Sequence, residues 1–398
     1  MRHPVIVVGG GPVGLTCAAL LSRAGVAVRV LEAAPTRVSE LRASTWHPPT
    51  LDLLDGLELA APLIDRGLVA PTWQIRMHPS GERAVFNLAL LEGETRHPYR
   101  LQCEQQAYCE LLEARLGSSA SGCIIERSVE VLDVCSKEDL VSVEIQDLNG
   151  GRTRLECDWL IGADGARSAV RRAVGIAFEG STYPETTILA TTHFPFERHL
   201  EGLTHVNYCW APEGTFSLLR LPQLWRVSLY ADAGESVDEA LRPEAVRAKL
   251  ERIADFPKSE EILEIRAYRT HQRLASTYRS RRVLLAGDAA HLNSPSGGMG
   301  MNGGLHDAFS LCEKLLRVLM GEPETLLDLY VRQRRKVAAE QILGQAHENR
   351  TRMQERNPAE RRAALEALQA IAASPTRARE HLMKTSMITG LRIAAMQT

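Results

Sequence analysis

Residues 5–32, V-I-V-V-G-G-G-P-V-G-L-T-C-A-A-L-L-S-R-A-G-V-A-V-R-V-L-E, decide the fold. Val5–Val8 is short, apolar and mostly β-branched, the composition of a parallel strand buried on both faces. Glycines at 9, 10, 11 and 14 follow, and Leu15–Ala24 has the small and apolar residues of a packed helix. Val26–Leu31 reads as a second strand, ending at Glu32, so the chain opens with a βαβ unit. Gly9, Gly11 and Gly14 stand at G-x-G-x-x-G spacing around Pro12 and Val13, and Glu32 comes 18 residues after Gly14. The first glycine permits a tight turn, the second lets a pyrophosphate approach the backbone, and the third lets helix and strand pack closely. The helix N-terminus favours phosphate charge, and a carboxylate ending the second strand accepts hydrogen bonds from a ribose. This order points to a dinucleotide without separating nicotinamide from flavin.

Downstream, Thr50–Gly67 has a helical pattern interrupted at Pro62. Pro71–Asn87 alternates apolar and polar residues around Pro79–Gly81, the pattern of a hairpin. Gln105–Leu116 reads as a helix. Strands are expected at Val129–Asp133, Val141–Gln146, Thr153–Cys157 and Trp159–Gly162, with Asn149-Gly150-Gly151 as a hairpin turn. From Gly175 to Thr277 the texture becomes strand-like, with runs at Thr187–His193, Phe216–Leu221 and Trp225–Tyr230 around a helical Pro243–Ala254. Arg282–Ala286 returns to buried-strand composition, followed by a helix from about Gly304 to Met320. Leu326–Thr398 is charged and helical, with breaks near Pro358 and Pro375.

Two further motifs carry chemistry. Asp158–Arg171, D-W-L-I-G-A-D-G-A-R-S-A-V-R, is a buried strand delivering Asp164 in a turn with arginines beyond. Arg282–Asn302, R-V-L-L-A-G-D-A-A-H-L-N-S-P-S-G-G-M-G-M-N, places Asp288 at the carboxyl end of a strand, where ligands bind in open α/β sheets. The glycines that follow let backbone amides approach a flat ligand, and the next helix brings a positive dipole end.

The three motifs in this order resemble the FAD-dependent aromatic hydroxylases, class A flavoprotein monooxygenases that include para-hydroxybenzoate hydroxylase, from Val5 to about Met320. The resemblance implies an α/β protein: a Rossmann-like FAD-binding domain from residues 1–70, 98–174 and 279–325, a β-rich substrate domain from 71–97 and 175–278, and a C-terminal helical segment at 326–398. It implies that Gly9, Gly11, Pro12, Val13, Gly14 and Glu32 hold the ADP half of FAD and that Arg42, in E-L-R-A-S-T-W-H, reaches the pyrophosphate. Gln105, with Gln102 and Gln106 as neighbouring alternatives, lies near the ribityl chain. Asp164 serves FAD and the nicotinamide cofactor, while Gly287 and Asp288 meet the ribityl hydroxyls. Pro295 and Gly297–Asn302, among them Gly298, Gly300, Met301 and Asn302, line the isoalloxazine. Thr45, Trp46, His47, Arg220, Arg226 and Pro295 are the expected substrate contacts.

The implied reaction uses NADPH or NADH, bound transiently, and O2 to hydroxylate an activated aromatic or heteroaromatic small molecule through a C4a-hydroperoxyflavin. The general base is unassigned: His47, Tyr208, Tyr230 and His271 are candidates, with His193 and His205 in the same β-rich region. His291 reads as a helper of the FAD loop. The chain departs from the phenol-hydroxylase branch in lacking its thioredoxin-like C-terminal domain, and from flavin halogenases in lacking W-x-W-x-I-P. A reductase of the geranylgeranyl-reductase type is the alternative, followed by a non-catalytic or NAD-binding Rossmann protein.

Bulk properties exclude other classes. A net charge of -2 over 398 residues leaves no basic footprint for nucleic acid. No apolar run of about 18 residues suggests a membrane span, and no leader pattern precedes Val5. Eight scattered cysteines show no metal-ligand spacing and read as reduced thiols of a cytoplasmic protein, a monomer or homodimer without metal.

Overall fold

The computed structural model describes residues 3–37, 43–117, 122–232 and 234–397. Val5–Val8 lies at the centre of a six-stranded sheet, parallel to Val28–Glu32 on one side and Trp159–Gly162 on the other. Cys123–Arg127 and Val283–Leu285 extend it in parallel, and Arg279–Ser280 closes one edge as an antiparallel strand. Helix Pro12–Arg23 packs beneath it with Leu15, Cys17, Ala18 and Leu21 fully or almost fully buried. These are the residues whose small or apolar character marked the helix, and their burial supplies its stability.

The second sheet has eight strands, in the order His291–Leu292, Glu264–Ala275, Phe178–Thr192, Trp225–Tyr230, Gly214–Arg220, Val206–Ala211, Thr72–Met77 and Arg83–Asn87. Along Trp225–Tyr230 the sequence alternates strictly. Trp225, Val227 and Leu229 enter an apolar core with Phe194, Phe196 and Val246, and the intervening Arg226, Ser228 and Tyr230 face the opposite way. The Asn149-Gly150-Gly151 hairpin forms as expected, between Val141–Gln146 and Arg152–Cys157.

One expectation needs correcting. The helix expected from Gly304 begins at Met299, because Gly298 caps it at φ +68 and the interior glycines are required by packing. A Cβ at Gly303 would lie 2.6 Å from the Ile342 side chain, and one at Gly304 would lie 3.0 Å from the Gly287 backbone. The breaks expected near Pro358 and Pro375 are present: each proline sits in the first turn of a new helix, where its missing N–H has no bond to lose.

The C-terminal helices serve both halves of the molecule. Leu327, Tyr330, Val337 and Ile342 complete the core under the first sheet. Leu365, Leu368 and Leu382 cover the Thr72–Asn87 hairpin beside Trp73 and Phe86. Among the described residues no helix is long and apolar enough to cross a membrane.

Candidate functional site

A cleft of about 1030 Å³ runs from the carboxyl ends of Val5–Val8 and Val28–Glu32 to the polar face of the large sheet. At its nucleotide end the three fingerprint glycines differ in what surrounds them. Gly9 sits at φ +106, and a Cβ there would meet the Ala163 carbonyl oxygen at 2.3 Å. A Cβ on Gly14 would come within 1.9 Å of the Gly9 oxygen. Both glycines are imposed by packing, and Gly14 does not line the cleft. A Cβ on Gly11 would meet nothing within 4 Å, although Gly11, Pro12 and Val13 all face the cleft.

Glu32 accepts the Gly10 N–H at 2.6 Å and the Ala34 N–H at 2.8 Å, so its carboxylate fixes the turn while still lining the cleft. Asp164 accepts the Val170 N–H at 3.1 Å through Oδ2, and its buried Oδ1 has no partner among the described residues. Gln105 and Gln106 both line the cleft, but Gln106 gives its amide to Glu110 at 3.2 Å. Gln102 lies behind them and accepts the Thr45 hydroxyl at 3.1 Å. Arg42 lies outside the described residues. An open approach to Gly11, a helix N-terminus and an unsatisfied Asp164 oxygen fit the phosphates and hydroxyls of a dinucleotide.

Further along the cleft, Asp288 is exposed to it between buried Gly287 and Ala289. Pro295, Gly298, Gly300 and Met301 line it next to the start of helix Met299–Leu319. Gly287 and Asn302 stand outside the lining and serve as framework. Gly287 closes on Val13 and Gly304. Asn302 accepts the His47 N–H at 3.0 Å and donates to the carbonyls of Thr45 at 2.8 Å and Gly298 at 2.7 Å. It thereby ties strand Thr45–Trp46 to the helix start.

The expected substrate contacts divide. Thr45 faces the cleft. Trp46, the next residue on the strand, points into the core against Tyr108 and donates to the Cys103 carbonyl at 2.8 Å. His47 is fully buried, and its Nε2 meets the Gly297 carbonyl at 2.8 Å. Burial, with the Arg100 charge adding to it, pulls the His47 pKa down to about 3, so the neutral ring donates from Nε2 and does not reach substrate. Arg220 lies over the Trp225 ring, on the face of its strand opposite Leu219, and is off the cleft. Arg226 does line the cleft, but Glu104 holds it through bonds of 2.9 and 3.0 Å and the Ser44 hydroxyl through one of 3.0 Å. It fastens the large sheet to strand-flanking residues Ser44 and Glu104 on the other side of the cleft.

Of the remaining base candidates, Tyr208, Tyr230 and His271 line the cleft. His271 pairs with the Thr182 hydroxyl at 2.9 Å. Burial raises the Tyr230 pKa, so its phenol is a hydrogen-bond donor at neutral pH. His193 and His205 bond the carbonyls of Gln223 and Val69 away from the cleft. His291 is buried against Asp307 at 2.9 Å, behind the Gly287–Asp288 turn.

Sequence reasoning missed several lining residues. Thr187, Ser217, Ser228 and Tyr268 share the sheet face with Tyr230, and the alternation of strand Trp225–Tyr230 would have found Ser228 between Arg226 and Tyr230. Burial pushes the Tyr268 phenol up to about 12. Met353 comes from the C-terminal segment, where nothing in the sequence marks it.

Residues 2–345 match the FAD binding domain family. Para-nitrophenol 4-monooxygenase of Pseudomonas sp. strain WBC-3 is 36% identical over 90% of this chain and 89% of its own length. 6-Hydroxy-3-succinoylpyridine 3-monooxygenase HspB of Pseudomonas putida strain S16 is 32% identical over 90% of this chain and 91% of its own. The crystal structure of p-nitrophenol 4-monooxygenase PnpA from Pseudomonas putida DLL-E4 superposes with a TM-score of 0.90 at 32% identity, covering 96% of this chain and 98% of that one. The chain belongs to the FAD-dependent aromatic hydroxylases. It is a flavoprotein monooxygenase with FAD as bound cofactor, NAD(P)H as transient reductant and O2 as co-substrate, acting on a small aromatic. The reductase alternative is not favoured.

Proposed function

We propose that this enzyme hydroxylates a single-ring phenol or hydroxylated N-heterocycle bound against the polar face of the eight-stranded sheet. The observation that carries this reading is the hydroxyl-rich wall of Thr187, Ser217, Ser228, Tyr230 and Tyr268, facing Pro295 and Gly298 across one cleft. Apolar Leu189, Leu219 and Met353 supply contact for a ring and exclude water. The relatives' names support the substrate class, since they act on a nitrophenol and on a hydroxypyridine.

In this reading Gly9, Gly11, Pro12, Val13, Glu32, Gln105, Asp164 and Asp288 hold FAD, with Gly14, Gly287 and Asn302 shaping the backbone around it. Bound FAD supplies hydride acceptance from NAD(P)H and activation of O2 for transfer to the ring. The chain's own contribution is placement. Pro295, Gly298, Gly300 and Met301 bring backbone close to the ring system, and the N-terminus of helix Met299–Leu319 favours negative charge there. The tyrosine hydroxyls, kept protonated by burial, donate to the substrate's polar group and set which ring position faces the flavin.

Residues 1–70, 98–174 and 279–325 form the FAD-binding domain in this account, and 71–97 with 175–278 the substrate domain. The assembly proposed with this reading is a monomer or homodimer. Eight unpaired cysteines suit a reducing, cytoplasmic setting.

The test is aerobic NADPH and NADH oxidation by FAD-loaded protein with a panel of phenols, aminobenzoates and hydroxypyridines. At least one hydroxylated ring should accelerate oxidation by roughly tenfold or more, a loss of barrier above 1 kcal/mol. If no aromatic changes the rate, and anaerobic flavin reduction is equally fast without one, the proposal fails.

A further inference from the structure

Residues placed directly opposite one another on neighbouring strands share a sheet face. In the large sheet one such row runs Ile75, Tyr208, Ser217, Ser228, Leu189 and Arg266. The row crosses a border. Ile75 is buried in a core with Leu365 and Leu382 of the C-terminal helices, whereas Tyr208 and the residues after it line the cleft. The sheet face runs on unbroken, so the C-terminal segment, and not the sheet, decides where core stops and cleft begins.

Helix Gly344–Gln354 stands at that border. The carbonyl of Arg352 accepts Trp210 Nε1 at 3.0 Å, from the strand that carries Tyr208. Asn349 donates to the Ser296 carbonyl at 3.4 Å, beside Pro295. Arg350 pairs with Glu185 and lies 3.8 Å from the Tyr183 ring centre. The helix is thus fixed to the loop carrying Pro295 and to strands Phe178–Thr192 and Val206–Ala211. Met353 follows Asn349 by one helical turn, on the same face. Its side chain is buried and lines the cleft, yet it belongs to none of the apolar cores formed by the described residues. Among the described residues it is the one lining group later in the chain than Met301. What buries Met353 is therefore the wall of the cleft, and an unbranched thioether in that position adapts its shape to a neighbour.

We propose that Met353 is the size-determining residue of the substrate cleft: its side chain ends the chamber at the Tyr208 edge and confines the aromatic to one ring. This deepens the phenol-class reading above and rests on it. The substrate lies along the row, its polar groups against the sheet hydroxyls and one edge against Met353. A methylene added or missing in an apolar pocket changes selection by about 10–200-fold. Met353→Ala removes Cγ, Sγ and Cε together, which leaves room for the edge of a fused second ring. A side chain that only supported the fold would weaken every ligand alike when shortened, so the ratio between two rings isolates this role.

The test uses oxidised holoenzyme without NAD(P)H, so nothing turns over. The probes are 4-nitrophenol and 4-nitro-1-naphthol, which carry the same polar groups on one ring and on two. Dissociation constants come from the change in flavin absorbance at a fixed pH. The wild type should prefer 4-nitrophenol by roughly 30-fold or more, and Met353→Ala should narrow that preference by about tenfold or more, chiefly by tightening the naphthol. Met353→Leu, close in volume, should keep the wild-type ratio within about threefold. Met353→Trp should weaken 4-nitrophenol itself by about tenfold or more at undiminished flavin content. If Met353→Ala fails to retain flavin, the Leu and Trp variants decide. A ratio that stays within about twofold in Met353→Ala, or a wild type that binds both rings equally, overturns the role of Met353 and leaves the phenol class standing. A wild type that binds neither ring overturns the substrate class and this inference with it.

Discussion

Gly11→Val yields a folded protein that purifies without flavin. Gly11 is the N-cap of helix Pro12–Arg23 at φ -81 and ψ -177, an extended conformation that any residue adopts. A Cβ there touches no protein atom within 4 Å, so the fold has no steric objection to a side chain. The cost to the apoprotein is the loss of a favourable N-cap residue, about 1 kcal/mol. The cost to binding is far larger, because the isopropyl group stands where the pyrophosphate must approach the backbone. FAD affinity should fall on the order of 100-fold or more, the loss of at least about 2.7 kcal/mol. Gly14→Val is the contrast: its Cβ would overlap the Gly9 oxygen at 1.9 Å, so it should fail as a folded protein. Flavin absorbance per protein, read beside thermal unfolding of the apo forms, separates the two. A Gly11→Val protein with wild-type flavin content would refute the placement of the phosphates.

Asp307→Asn should be the most damaging of the conservative buried substitutions. The carboxylate is fully buried in helix Met299–Leu319. Its Oδ2 accepts the Gly287 N–H at 3.1 Å and His291 Nε2 at 2.9 Å, and Oδ1 accepts Arg334 Nε at 2.7 Å. Burial alone would raise its pKa, but the Arg334 charge and the hydrogen bonds from His291 and Arg334 outweigh that and hold it below the usual carboxylate value. Removing the charge leaves Arg334 buried without an anion, which costs about 3–5 kcal/mol. The same link has a pH sign: Asp307 stabilises the fold above the unfolded carboxyl pKa, and that stability disappears as pH falls through the lower folded value. Because Asp307 also holds Gly287, the variant should loosen the turn that presents Asp288 and weaken FAD retention. Urea unfolding of Asp307→Asn, Arg334→Met and the double variant checks this. The double variant should be less destabilised than the two singles added together, since the buried cation is then gone. Simple additivity would show that the pair is not a unit.

The sequence was most legible where one residue's chemistry answers to the backbone next to it. Gly9, Gly14 and Glu32 could be read because a tight turn, a close helix–strand approach and a strand-end acid leave few residue choices. Asn149-Gly150-Gly151 and Asp288 could be read for the same reason. Reading failed where the outcome depends on a distant partner. Arg220 and Arg226 look equivalent on paper, yet strand alternation turns one onto Trp225, and Glu104, more than a hundred residues earlier, claims the other. Trp46 and His47 lie beside an expected cofactor contact, yet Tyr108, Cys103 and Gly297 draw them into the core. The C-terminal segment has helical pattern enough to place its turns but nothing to say that Met353 reaches the cleft or that Leu382 covers Trp73.

The most direct test of the account is isotopic. The ring that most accelerates NAD(P)H oxidation should be turned over under heavy-isotope dioxygen in ordinary water, and its product analysed by mass spectrometry. The account predicts a product one oxygen atom heavier than its substrate, with that atom drawn from the dioxygen. A product whose new oxygen comes from water, or a ring recovered unchanged while the reductant is consumed without oxygen, would contradict it.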